Sequence, residues 1–144
     1  MTSSATTKID KQNVEDILAL TPLQEGLLFH YLTEQGSESY LEQLTVRLEG
    51  EIEREAFIRT WERLGEANEM LRTVFRWDKL DRPVQIVLKQ HPIPITFSDL
   101  SDVSRSNLET ALEAYLTKDR DEGIDIAKAP LRVALIKLGP EQFA

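Results

Sequence analysis

The sequence predicts an α+β fold, an α/β sandwich in which helices pack on one mixed sheet. Three observations predict it. Apolar residues recur at helical spacing in three segments, near 21–32, 53–67 and 106–116. Short runs rich in β-branched and aromatic residues lie between them. One run, 131–138, is almost continuously apolar, as a central strand buried on both faces is.

The elements follow in order. Residues 1–8 are small and polar and are expected to be a disordered tail, with a single domain over 9–144. Val14, Ile17 and Leu18 give a short apolar face. Thr21 suits an N-cap, Pro22 the first helical position, and Gln24 completes a capping box. Leu23, Leu27 and Tyr31 then form one row of the helix and Leu28 and Leu32 the next, with Gly36 as a stop.

Leu44, Val46 and Leu48 alternate with Gln43, Thr45 and Arg47, which predicts a half-buried strand ending at Gly50. Ala56, Phe57, Trp61 and Leu64 mark an amphipathic helix over about 53–67. Strands are expected at 71–77, 84–88 and 93–97, separated by the polar break Lys79-Leu80-Asp81-Arg82 and by His91-Pro92. A loop at 99–104 precedes a third helix through Leu108, Ala111, Leu112, Tyr115 and Leu116, with Ser106 and Glu109 as its capping box. The order is α-β-α-β-β-β-α-β, with no internal repeat and no linker.

Composition excludes several functions. The chain of 144 residues has no cysteine, so disulfides, thiolate nucleophiles and cysteine-held zinc are absent. Its formal charge of −8 disfavours phosphate backbones, so nucleic acid is not an expected partner. No apolar run reaches the roughly 20 residues of a membrane span, and the polar start is no signal peptide. The expected compartment is the cytoplasm.

Catalytic candidates are few. His30 falls near the end of the first helix and reads as a partly buried helix residue. His91 reads as a loop residue before proline. Asp119-Arg120-Asp121-Glu122-Gly123 fails as a calcium loop, because Pro130 stands where the last carboxylate belongs. Asp99 and Asp102 flank serines before a helix and suit turn and capping roles better than paired acid–base work. Trp61 and Trp77 are expected to fill the core. Neither a phosphate loop nor a nucleophile elbow is present. No catalytic residue is assigned, no metal site, and no cofactor bound by this chain.

Several segments, in order, resemble condensation domains of nonribosomal peptide synthetases. Leu20 to His30 resembles the family's first motif, through Thr21, Pro22, Gln24, Glu25 and Gly26. Glu69 to Phe75, with Leu71, Arg72 and Thr73, resembles the second, although Ala67 and Asn68 replace its usual Arg-His pair. Leu48-Glu49-Gly50 with Phe57 and Trp61, then 83–88, and then Gly123 to Arg132 resemble later segments, with Ile124 in place of phenylalanine.

The resemblance spans about 14–138 and implies the first half of a chloramphenicol-acetyltransferase-like lobe. The family's third motif, His-His-x-x-x-Asp-Gly, supplies the histidine implicated in amide formation and is absent here. The resemblance therefore implies a peptide-bond-forming parent enzyme that uses phosphopantetheine on partner carrier domains, and a chain that does not condense alone. Arg72, which supports the catalytic loop in the family, is expected to lack its usual partner.

The family motif begins close to Met1, which suggests a synthetase that starts with this domain. The resemblance then implies an acceptor docking region at about 9–30 for the C-terminal helix of an upstream synthetase. The expected contacts are Gln12, Asn13, Asp16, Ile17 and Ala19, with Arg82, Val84 and Gln85. Ile17 keeps a second reading, in which it packs the tail onto the sheet. Two alternatives stay open: a cut within a full condensation enzyme, and a free-standing interaction domain or swapped oligomer. In the last case the strand at 131–138 is expected to have a bare edge that invites self-association.

Overall fold

The computed structural model describes residues 8–33 and 40–144. The expected tail therefore lies almost wholly outside the described residues, and Gly36 lies outside them too. Two sheets form where the sequence suggested one. Strands β1 (Val14–Ala19), β4 (Val84–Leu88) and β3 (Thr73–Arg76) make an antiparallel sheet in the order β1-β4-β3. Strands β2 (Leu48–Glu49), β7 (Gln142–Phe143), β6 (Val133–Gly139) and β5 (Ile95–Asp99) make a mixed sheet in that order. Three helices accompany them: α1 (Pro22–Thr33), α2 (Arg54–Ala67) and α3 (Leu108–Glu122).

The parallel pair β5–β6 is joined through α3, because parallel neighbours need a long crossover. Their sheet lies between two helices. Ile136 and Leu138 on one face meet Leu112 of α3, with Leu108, Tyr115 and Leu116 around them. On the other face Phe97 of β5, paired with Leu135, meets Phe57 of α2 at a ring separation of 6.4 Å. Covering from both sides is why β6 reads as a continuous apolar run. Trp61 packs edge-on against Phe57 and Trp77 against Tyr31, and both tryptophans are half-buried rather than enclosed.

Several expectations need correction. Residues 14–19, read as a short apolar face, are strand β1, so the chain opens β-α and not α. The alternation at 43–48 forms a ladder only at Leu48–Glu49, and Leu44 is 88% exposed. The side chain of Gln43 is held instead by Leu116 O, Asp119 and Arg120 of α3. Alternation records which residues could share a face, but a strand also needs a neighbour.

The segment 69–72 is a 3-10 turn, so β3 starts only at Thr73. Strand β5 starts at Ile95 and not at 93, since Pro94 has no N–H to offer a ladder. Helix α3 has no Ser106–Glu109 box. Asn107 occupies its N-cap without a side-chain bond, Ser106 faces Ser104 at 3.2 Å, and Glu109 pairs with Arg47 at 2.6 Å. The strand at 131–138 is flanked by β5 along 133–137, but β7 reaches it only at Lys137 and Gly139, with Ile136 bonded to Ala144. Among the described residues the expected bare edge therefore remains along 133–135. The outer strands of the other sheet are β1 and β3.

Candidate functional site on the edge strand

Chemistry at β1 begins with its exposure. Ile17 and Leu18 point to opposite faces and are 57% and 43% exposed. Paired residues of antiparallel strands share a face. Ile17, Ala19, Val84 and Ile86 therefore lie on one face, and Asp16, Leu18, Gln85 and Val87 on the other. The expected contact residues are thus divided. Ile17, Ala19 and Val84 come together, whereas Asp16 and Gln85 face away from them. Arg82 is exposed in the bend just before β4.

Polar side chains surround the strand. Asn13 brackets the Gln90 backbone, donating from Nδ2 to its carbonyl at 2.8 Å and accepting its N–H at Oδ1 at 2.9 Å. Gln12 carries the Lys89 Nζ on its carbonyl at 2.9 Å. The Ile17 N–H donates to the Asp16 carboxylate at 2.8 Å, which blunts the open edge. Gln85 donates to Ala19 O at 3.1 Å and meets Gln24 of α1 at 3.2 Å, so it serves an internal tie.

The family-motif residues are structural anchors around the same sheet. Thr21 N–H donates to Gln24 Oε1 at 2.8 Å, and Gln24 N–H to Thr21 Oγ1 at 3.3 Å, so the predicted capping box is present. Pro22 opens α1, Glu25 lies in its first turn where the helix dipole favours an anion, and Gly26 has open space around it. Leu71 N–H donates to Asn68 O, and buried Thr73 donates its hydroxyl to Glu69 O.

Arg72 is 8% exposed, and its Nε and Nη1 are taken up by partners other than the catalytic loop it supports in the family. Its Nε donates to Gly65 O at 2.9 Å, and its Nη1 donates to Glu15 Oε2 at 2.6 Å and to Leu88 O. Glu15 escaped the sequence reading, since nothing in its spacing shows that the strand turns it onto a buried arginine.

Elsewhere the titratable groups serve structure. His30 is half-buried, with its ring against Phe29 and Tyr40. His91 lies in the β4–β5 connection, as expected. Burial lowers its pKa against the opposite pull of a backbone hydrogen bond at Lys128, and its Nε2 is enclosed without a partner. Asp99 accepts from the Ser101 N–H at 2.9 Å and from its hydroxyl. Those bonds lower its pKa and make it a turn residue. Among the described residues no His/Asp/Glu group could hold a metal, and no helix is long and apolar enough to cross a membrane.

Known proteins match this arrangement. The condensation-domain family model matches residues 14–144. Tyrocidine synthase 2 of Brevibacillus parabrevis is 40% identical over 134 residues, covering 92% of this chain and 4% of that protein. Surfactin synthase subunit 3 of Bacillus subtilis (strain 168) is 32% identical over 137 residues, covering 94% of this chain and 11% of that protein. The chain thus spans a small part of the curated relatives it matches. Among solved structures, the starter condensation domain of rhizomide synthetase superposes with a TM-score of 0.72 at 21% identity, over 89% of this chain and 32% of that one. A four-domain nonribosomal peptide synthetase superposes with a TM-score of 0.71 at 19% identity, over 90% of this chain and 10% of that one. With the family model matched from β1 to the final residue, this chain belongs to the condensation-domain family of nonribosomal peptide synthetases.

Proposed function

We propose that the chain forms the first part of a condensation domain's N-terminal lobe and that the β1–β4 surface is an acceptor docking site for a helix from the C-terminus of an upstream synthetase. One observation carries this reading: β1 is an edge strand whose Ile17 is 57% exposed on the face it shares with Ala19 and Val84. An amphipathic helix can lay its apolar face on such a surface, and charges at the rim then select the partner. Asp16, in a chain of net charge −8, favours a donor that carries Lys or Arg.

In the parent synthetase the domain joins carrier-bound aminoacyl and peptidyl thioesters in the cytoplasm, and phosphopantetheine belongs to the partner carrier domains. The residues here would bind and orient partners. The family's histidine motif is not in this sequence, so no proton-transfer step is assigned to it.

The test is titration of the chain with C-terminal peptides of candidate upstream synthetases, read by calorimetry and by amide shifts. A cognate basic peptide is expected to perturb Ile17, Ala19 and Val84, and Asp16→Lys to weaken it at least several-fold. If no candidate peptide binds while circular dichroism shows an intact fold, the docking reading fails.

A further inference from the structure

Strand register is normally chosen by burial, because a slip of one residue exchanges the two faces. Strand β1 lacks that safeguard. Its burial pattern runs from half-buried Val14 to five exposed residues, and Ile17 and Leu18 are exposed on opposite faces at 57% and 43%. Exchanging them would bury or expose little apolar surface.

The observed ladder nonetheless has one defined register and one defined irregularity. Val14 pairs with Leu88 and Asp16 with Val87, so Glu15 is the extra residue of a bulge. Bulges re-aim side chains. Here the bulged residue is the one whose carboxylate reaches Arg72, at 2.6 Å. Arg72 cannot follow a moving strand. It is 8% exposed and also anchored to Gly65 O of α2 and Leu88 O of β4. A slip of one residue moves Glu15 by about 3.3 Å and withdraws its carboxylate from the buried guanidinium.

We propose that Glu15 is a positioning residue: through Arg72 it fixes the register of β1 and so decides which residues of that strand a partner meets. In the observed register Ile17 and Ala19 share a face with Val84; after a slip of one residue, Asp16 and Leu18 would take their place. The consequence for partner choice rests on the docking reading above. The register claim itself needs no partner.

The chain has no native cysteine, so paired cysteines can report register directly. Ile17→Cys with Ile86→Cys bridges the observed pair, and Leu18→Cys with Ile86→Cys bridges a slipped one. With Glu15 intact, oxidation is expected to give the first bridge and little of the second. In Glu15→Ala the slipped bridge should rise at least tenfold. In Glu15→Gln, which still offers Arg72 an acceptor oxygen, it should stay near the original yield. Equal slipped yields in Glu15→Ala and in the unaltered chain would overturn the proposal. So would loss of both bridges in Glu15→Ala, since Glu15 would then hold the strand without choosing its register. Peptide titration of the same variants reads the docking claim separately, and a chain that binds no peptide leaves the bridge result unaffected.

Discussion

Gly123 ends α3 with φ 62° and ψ −169°, a conformation essentially reserved for glycine. A Cβ there would meet nothing within 4 Å, so any penalty for adding one comes from the backbone alone. Gly123→Ala is expected to lower stability by roughly 1–3 kcal/mol, read as the urea midpoint. An unchanged midpoint would show that the loop relaxes. A helix-ending glycine is legible in sequence; its partner Arg132, which donates to Gly123 O and Asp119 O, is not. Asp119 shows why. Burial alone would raise its pKa, but hydrogen bonds from Arg132 and Gln43 and the charges of Arg132 and Arg120 outweigh that and lower it. A carboxylate lowered in this way adds stability above its unfolded pKa, near 3.9, and loses it as pH falls through the folded value. Asp119→Asn should therefore melt lower than the unaltered chain at pH 7, with the two curves converging in acid below about pH 4. Curves that stay parallel would assign the acid sensitivity elsewhere.

Among elements, α1 and α3 make a useful contrast. Both starts carry a plausible capping box in sequence, and only the first is formed. Thr21→Ala should cost about 1 kcal/mol and speed amide exchange in the first turn of α1. Ser106→Ala should stay within about 0.5 kcal/mol of the unaltered chain. A large loss at Ser106 would contradict the cap seen at Asn107. The difference is local geometry: Asn107 is already in the helical region, at φ −106° and ψ −5°, so the chain enters α3 without the extended N-cap residue that a box requires. Helix positions were legible because a 3.6-residue period needs no partner. Strand extents were less so: 84–88 matches β4, but the alternating 43–48 reaches a neighbour only at its end.

At the scale of the molecule, apolar residues remain uncovered. Leu23, Phe29, Leu44 and Met70 are 74%, 63%, 88% and 81% exposed. Helix α1 has apolar residues on more than one side, with Leu28 buried and Leu23 and Phe29 exposed. Exposed apolar groups of this size favour association. The chain alone is expected to self-associate with rising concentration in sedimentation, and the triple variant Leu23→Gln, Leu44→Gln, Met70→Gln to do so less without a lower melting point. Equal self-association in both would remove these residues as the cause.

The sequence by itself determined the helices, the buried strand at 131–138, the cap at Thr21 and the family, because periodicity, local hydrogen bonding and motif order are properties of short stretches. Tertiary structure alone decided that there are two sheets, that β1 lies at an edge with its candidate contacts on two faces, and that Glu15 meets Arg72. Those features depend on which distant segments become neighbours. Residues 15 and 72 are joined only after β1 pairs with β4 and α2 carries Gly65 to the same guanidinium.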